Sequence, residues 1–193
     1  MGNMGKFDVD GLKKLQEQLN KIKDNNPEKF IEDCAKELAA RLLAKVIGRT
    51  RPGDYSKEVK VVAKRNGKKH RKGETYTKQV NPSGKLGGTL RRGWTSKTYE
   101  EAQNGQGKKT ATTEQAMSFV NTLSIQHTGN MFTIIVKNPV EYASYVEYGH
   151  RTRNHKGWVQ GRFMLTISEQ EIQQIAPMVL EEKMKKFLGE CFK

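Results

Sequence analysis

His150, Asn154 and His155 fall in an H-x-x-x-N-H arrangement. Two histidines beside an asparagine could activate water while a metal holds a phosphate, the chemistry of an HNH-type nuclease. The surroundings argue against it. All three residues share one short loop without a ββα frame, no carboxylate pair for Mg²⁺ lies close in sequence, and His70 and His127 belong to other segments. The Cys34 thiol has no neighbouring base, and a GxxxxGK phosphate loop is absent. No catalytic, cofactor-binding or metal-binding residue is assigned, and the reading is non-enzymatic.

What remains is the chemistry of charge. The chain carries a formal net charge of +14 over 193 residues. Between residues 48 and 90, twelve Lys and Arg face only Asp54, Glu58 and Glu74, so nine of the fourteen net charges lie there. Lys64, Arg65, Lys68, Lys69, Arg71 and Lys72 crowd its middle. These cations suit DNA phosphates, which need no sequence readout, or a plain solvated loop. Docking on an acidic face of a neighbouring subunit ranks above both, because charge guides and orients association. Nothing points to sequence-specific DNA recognition: no helix-turn-helix, zinc finger or nucleic-acid-binding aromatic motif accompanies the charge, and Tyr76 alone is no stacking platform. Glu147, Arg151, Arg153 and Lys156 form a second set of interface candidates.

The elements that position these groups follow from periodicity. Leu12, Leu15, Leu19 and Ile22 mark one helical face after Asp8 or Asp10 as N-cap. Asn26-Pro27 then starts a second helix, which should bury Phe30, Ile31, Cys34, Ala35, Leu38, Leu42 and Val46 before Gly48. In 48–90, alternating Val59, Val61 and Ala63 on one side, and Thr75 to Val80 on the other, predict a basic hairpin arm around Asn66-Gly67. Too few apolar residues anchor it for stability as an isolated ribbon. Residues 90–99, 116–126 and 131–137 are rich in β-branched and aromatic residues and predict a core sheet. Its inner face, Trp94, Phe132, Ile134 and Val136, should be covered by Leu38 and Leu42. The polar stretch Glu100 to Gln115 reads as a surface loop.

Residues 139–165 organise the rest. A short helix after Pro139 should place Tyr142, Tyr145 and Val146 inward and end at Gly149. A basic loop from Arg151 to Lys156 follows, with Glu147, Arg151, Arg153 and Lys156 projecting outward. Phe163, Ile167, Ile172, Ile175, Met178, Val179, Met184, Phe187 and Leu188 predict a last helix, bent or restarted at Pro177 and ended by Gly189. The fold class is α+β: one domain over 1–193 with N-terminal helices (8–47), the basic arm (48–90), a small, mostly antiparallel core sheet (90–138), and the short helix, loop and C-terminal helix (139–188).

The chain's class is bounded by composition. Hydrophobic residues are 35% and the mean hydropathy is -0.80, which implies a lean core and long solvated faces. No run of 18 apolar residues exists, and Met1 to Asp10 lacks the apolar stretch of a signal peptide. A cytosolic origin and no membrane partner are expected. Cys34 and Cys191, far apart and outside any C-x-x-C spacing, fit buried thiols in a reducing compartment.

The stretch 139–165, with its YA, YVE, Gly, variable loop and GRFML, together with Gly88-Thr89-Leu90-Arg91-Arg92 upstream, resembles the tail-completion (head-tail joining) family of tailed bacteriophages. It departs from the family in having His150 where a small residue such as Thr is usual. The resemblance implies a structural virion protein at the head-tail junction, made in the host cytoplasm. It further implies a homo-oligomer, a hexameric ring, whose partners are the head connector and the tail tube or tail terminator proteins. The alternatives are a DNA-binding or DNA-packaging accessory protein and, after it, a nuclease. Non-specific contact with DNA fits either of the first two.

Overall fold

The computed structural model describes residues 9–83, 87–107 and 112–192. The Asp8 cap, part of the upstream glycine-rich motif (84–86) and the lysines at 108 and 109 lie outside them. In chain order the elements are α1 (Val9–Asp24), α2 (Pro27–Arg49), β1 (Lys57–Val62), β2 (Thr75–Val80), α3 (Thr89–Gly93), α4 (Tyr99–Gln103), α5 (Thr113–Val120), β3 (Ile125–Thr128), β4 (Met131–Ile134), α6 (Ala143–Tyr148), β5 (Gly149–Arg151), β6 (Trp158–Gln160) and α7 (Met164–Cys191). The class is α+β.

Helix α2 is the centre of the core. It starts where Asn26, at φ 54°, accepts the Lys29 N–H on its side chain, with Pro27 in the first turn, where its missing N–H costs nothing. Its buried stripe is Cys34, Ala39, Ala40, Leu43, Ala44, Val46 and Ile47, rotated from the predicted one: Leu38 and Leu42 are half-buried and Ile31 is exposed. The three alanines let α5 and α7 approach the helix closely, while Leu43 and Ile47 fill the space between. Each such large side chain contributes about 1.5–3 kcal/mol by leaving water.

Among the described residues the predicted strands do not join into one core sheet. Strands β1 and β2, β3 and β4, and β5 and β6 form three separate two-stranded antiparallel ribbons. Residues 89–93 and 113–120, which overlap two of the predicted strands, are helical. Local caps explain the change. Thr112 accepts the Gln115 N–H and opens α5, whose Ala116 and Val120, one turn apart, both reach the core. Thr98 and Glu101 cap each other's backbone N–H groups and open α4 inside the predicted loop. Trp94 does enter the core, where its indole N–H donates to Thr50 Oγ1 at 2.8 Å and the Thr50 hydroxyl donates to the Val46 carbonyl at 2.7 Å. Ile134 and Val136 pack half-buried against the same core.

Arg92 is the largest fully buried side chain. Its guanidinium donates to the carbonyls of Ala102 (2.8 Å) and Gly87 (3.0 Å), tying the glycine turn before α3 to α4. These bonds satisfy a buried cation whose desolvation would otherwise be costly. Helix α7 runs unbroken through Pro177 and Gly189. Pro177 sits on the solvent side, where water can reach the carbonyl its missing N–H leaves free. Both cysteines are free and buried.

Candidate assembly surface

The residues of the 139–165 stretch come together where α6 hands over to α7. The short helix α6 ends at Gly149, whose φ of 86° only glycine adopts readily. The chain then turns through the ribbon of β5 and β6 and enters α7 at Phe163, held at φ 49°. Two backbone bonds close the handover: Arg162 N–H to Val146 O at 2.8 Å, and Phe163 N–H to Glu147 O at 3.1 Å. A Cβ at Gly149 would strike the Val159 carbonyl, and one at Gly161 the Glu147 carbonyl. Backbone meets backbone here with no room for a side chain.

Glu147 does not project toward a neighbour, contrary to the expectation from sequence. It is 5% exposed, and its carboxylate accepts the N–H groups of Leu165 (3.0 Å) and Thr166 (2.9 Å) and the Thr166 hydroxyl (2.9 Å). Phe163, at the cap position of α7, offers no side-chain acceptor, so a residue from α6 caps the helix instead. The negative charge also suits the positive end of the helix dipole.

The basic loop is a built turn. The Thr152 hydroxyl donates to Asn154 Oδ1 (2.6 Å) and accepts from the Gly157 N–H (3.0 Å), while Thr152 N–H reaches the Gly157 carbonyl (3.0 Å). Asn154 also accepts the Lys156 N–H, at 3.2 Å. Arg151, Arg153 and Lys156 are exposed, and among the described residues none is paired with a carboxylate. Of the H-x-x-x-N-H residues, His150 lies on β5 with its ring edge-on to Tyr145, Asn154 is spent inside the turn, and His155 sits at φ 55°. No group of three or more His, Cys, Asp or Glu converges as metal ligands among the described residues.

Around this turn large side chains stand exposed, which sequence reasoning missed. Tyr145 (58%), Tyr148 (61%) and Trp158 (62%) are exposed, and so are Tyr142, Val159 and Phe163. Tyr142 and Tyr145 were expected inward, but α6 spans six residues, burying Glu147 and half-burying Val146. The signal was available in the composition: a tyrosine-rich helix too short to bury every ring must leave some outside. Beside these rings is a cleft of ≈ 320 Å³ lined by Arg51, Tyr55, Tyr142, Tyr145, His150 and Arg162 among others. Arg51 and Arg162 have no carboxylate partner among the described residues. Partial burial pushes the Tyr142 hydroxyl above its ordinary range.

Aromatic rings and arginines on a rigid frame are what protein interfaces concentrate at their centres. A family model described as "Bacteriophage HK97-gp10, putative tail-component" matches residues 13–149, more than two thirds of the 193 residues. The chain belongs to this phage tail-component family. The matched span runs from α1 through Gly149, so the turn bearing Arg151, Arg153 and Lys156 and the helix α7 follow it. No match was found among curated proteins or solved structures. Among the described residues no helix is long and apolar enough to cross a membrane.

Proposed function

We propose that this tail component is a structural virion protein that assembles as a ring of identical copies at the head-tail junction. The contact face is the exposed aromatic and arginine surface around β5, β6 and the cleft beside α6. The observation that carries this reading is the joint exposure of Tyr145, Tyr148 and Trp158 on a frame fixed by Glu147 and the Gly149–Gly161 crossing. A monomer gains nothing from holding large apolar rings in water, and contact with a neighbour removes that cost. Arg51, Arg151, Arg153 and Arg162 favour a partner with acidic groups, which charge-assisted bonds would fix in register once water leaves. Head connector, tail tube and tail terminator proteins are the partners this position implies. The role is architectural, with no catalytic step assigned.

The test replaces Arg151 and Arg153 together by Ala, and Trp158 by Ala in a second variant. Both are expected to unfold within about 0.5 kcal/mol of the parent, as surface changes do. Electron microscopy of particles assembled with either variant should show unjoined heads and tails. Joined virions at normal yield would overturn the assignment of this face.

A further inference from the structure

The ribbon of β1 and β2 is a second surface, remote in character from the aromatic face. Its strands pair from Lys57↔Val80 to Val62↔Thr75, and they pack on each other and on no other helix or strand to a comparable extent. Its tip is nonetheless well built. Ala63 N–H donates to Glu74 O and Gly73 N–H to Ala63 O, both at 2.9 Å. The Asn66 side chain accepts the Lys72 N–H (2.8 Å), and the Glu74 carboxylate accepts the Arg71 N–H (2.8 Å). The His70 ring lies flat on Tyr76, with centroids 4.1 Å apart and planes 8° from parallel. The backbone is therefore held while Lys64, Arg65, Lys68, Lys69, Arg71 and Lys72 all stand exposed around it. Among the described residues none of the six pairs with a carboxylate.

We propose that this tip binds the phosphate backbone of duplex DNA without regard to sequence. The chemistry selects this ligand over the alternatives. Residues 64–73 include no aliphatic, tyrosine, tryptophan or phenylalanine side chain, so the tip lacks the desolvated anchors of a protein interface. The one ring, His70, is spent on Tyr76, which leaves no platform on which single-stranded bases could stack. Asn66 is spent on Lys72, so it is not free to read an adenine edge. What remains is a fixed fan of cations on a two-stranded ribbon, a shape the major groove admits. Phosphate binding needs only such cations, driven by release of counterions from the DNA. The hydrogen bonds from Arg71 and His70 hold the Glu74 carboxyl below its ordinary range, so the one acid at the tip stays ionised and engaged in the turn. This inference stands on the tip alone and does not depend on the assembly face.

The test is fluorescence anisotropy of the full chain with a labelled duplex of random sequence, repeated across a salt series. Replacing Lys68, Lys69, Arg71 and Lys72 by Gln should flatten the slope of log K against log salt by about three to four units, at about 0.9 per phosphate contact. Replacing Lys13, Lys14, Lys21 and Lys23 on α1 by Gln removes the same charge elsewhere and should leave the slope nearly unchanged. Equal losses from the two variants would overturn the proposal, since binding would then follow net charge alone. Tighter binding of the single strand than of the duplex would overturn it too. So would full displacement of the duplex by polyglutamate at equal charge, which would make the tip a dock for acidic protein. Circular dichroism of both variants, expected to match the parent, ensures that the comparison is between folded chains.

Discussion

Glu147 holds Thr166 at two points, accepting both its backbone N–H and its hydroxyl on the same carboxylate oxygen at 2.9 Å. The third bond, from the Leu165 N–H, goes to the other oxygen. A residue of the YVE motif thus caps the helix that the GRFML motif begins, and each motif needs the other. Glu147→Ala would leave two N–H groups of α7 uncapped and is expected to cost about 1.5–3 kcal/mol, the range for hydrogen bonds to charged groups. Glu147→Gln, which keeps an acceptor, should fall between that variant and the parent. Urea unfolding followed by circular dichroism reads both, and an Ala variant as stable as the parent would mean that the cap is idle.

The arm from Lys57 to Val80 should be dispensable for folding. Its end residues are directly paired, so a short Gly-Ser connection can replace it without straining either side. Thermal melting of such a chain is expected to keep one cooperative transition near the parent's midpoint. Loss of that transition would show that the ribbon belongs to the core.

Acid should loosen the packing of α2 on α7. Glu171 accepts a hydrogen bond from Lys45 Nζ at 2.8 Å and pairs with Arg49, so a single carboxylate on α7 joins two turns of α2. The Lys45 bond first, and the Arg49 bond next, hold its carboxyl below the ordinary glutamate range. A pKa lower in the folded than in the unfolded state gives stability that is present above the unfolded value, about 4.3, and lost as pH falls through the folded one. Glu171→Gln should therefore be less stable than the parent at neutral pH, with the gap closing in acid. Urea midpoints of both proteins at neutral pH and at about pH 3 check this; a gap of the same size at both would remove the ion pairs as its cause.

Much of this was legible where the signal is local. Asn26-Pro27 starts α2, Asn66-Gly67 lies in the turn of the basic ribbon, Gly129-Asn130, half of the expected turn, joins β3 to β4, and Gly149 ends α6. The failures came where partners distant in sequence decide. Residues 90–99 look like a strand because of Trp94, Tyr99 and the threonines between them, yet the Trp94 indole is held by Thr50, 44 positions away. Arg92 looks like another surface cation, but carbonyls at Gly87 and Ala102 take it inside. Glu147 was misread for the same reason: its partners lie 18 and 19 residues on, across a ribbon that the pattern showed only as a loop. Arg151, Arg153 and Lys156, expected to project outward from a loop bracketed by Gly149 and Gly157, are exposed.

The close crossing of Gly149 and Gly161 has a further consequence. Because the root of the β5 and β6 ribbon is locked by main-chain atoms, the identity of the side chains beyond it hardly enters the folding of the rest. The nine residues from Thr152 to Gln160 act as an interchangeable cartridge. A phage lineage could rewrite them to match a changed neighbour while keeping both glycines, and a designer could graft a foreign turn onto the same hinge to give the protein a new docking partner.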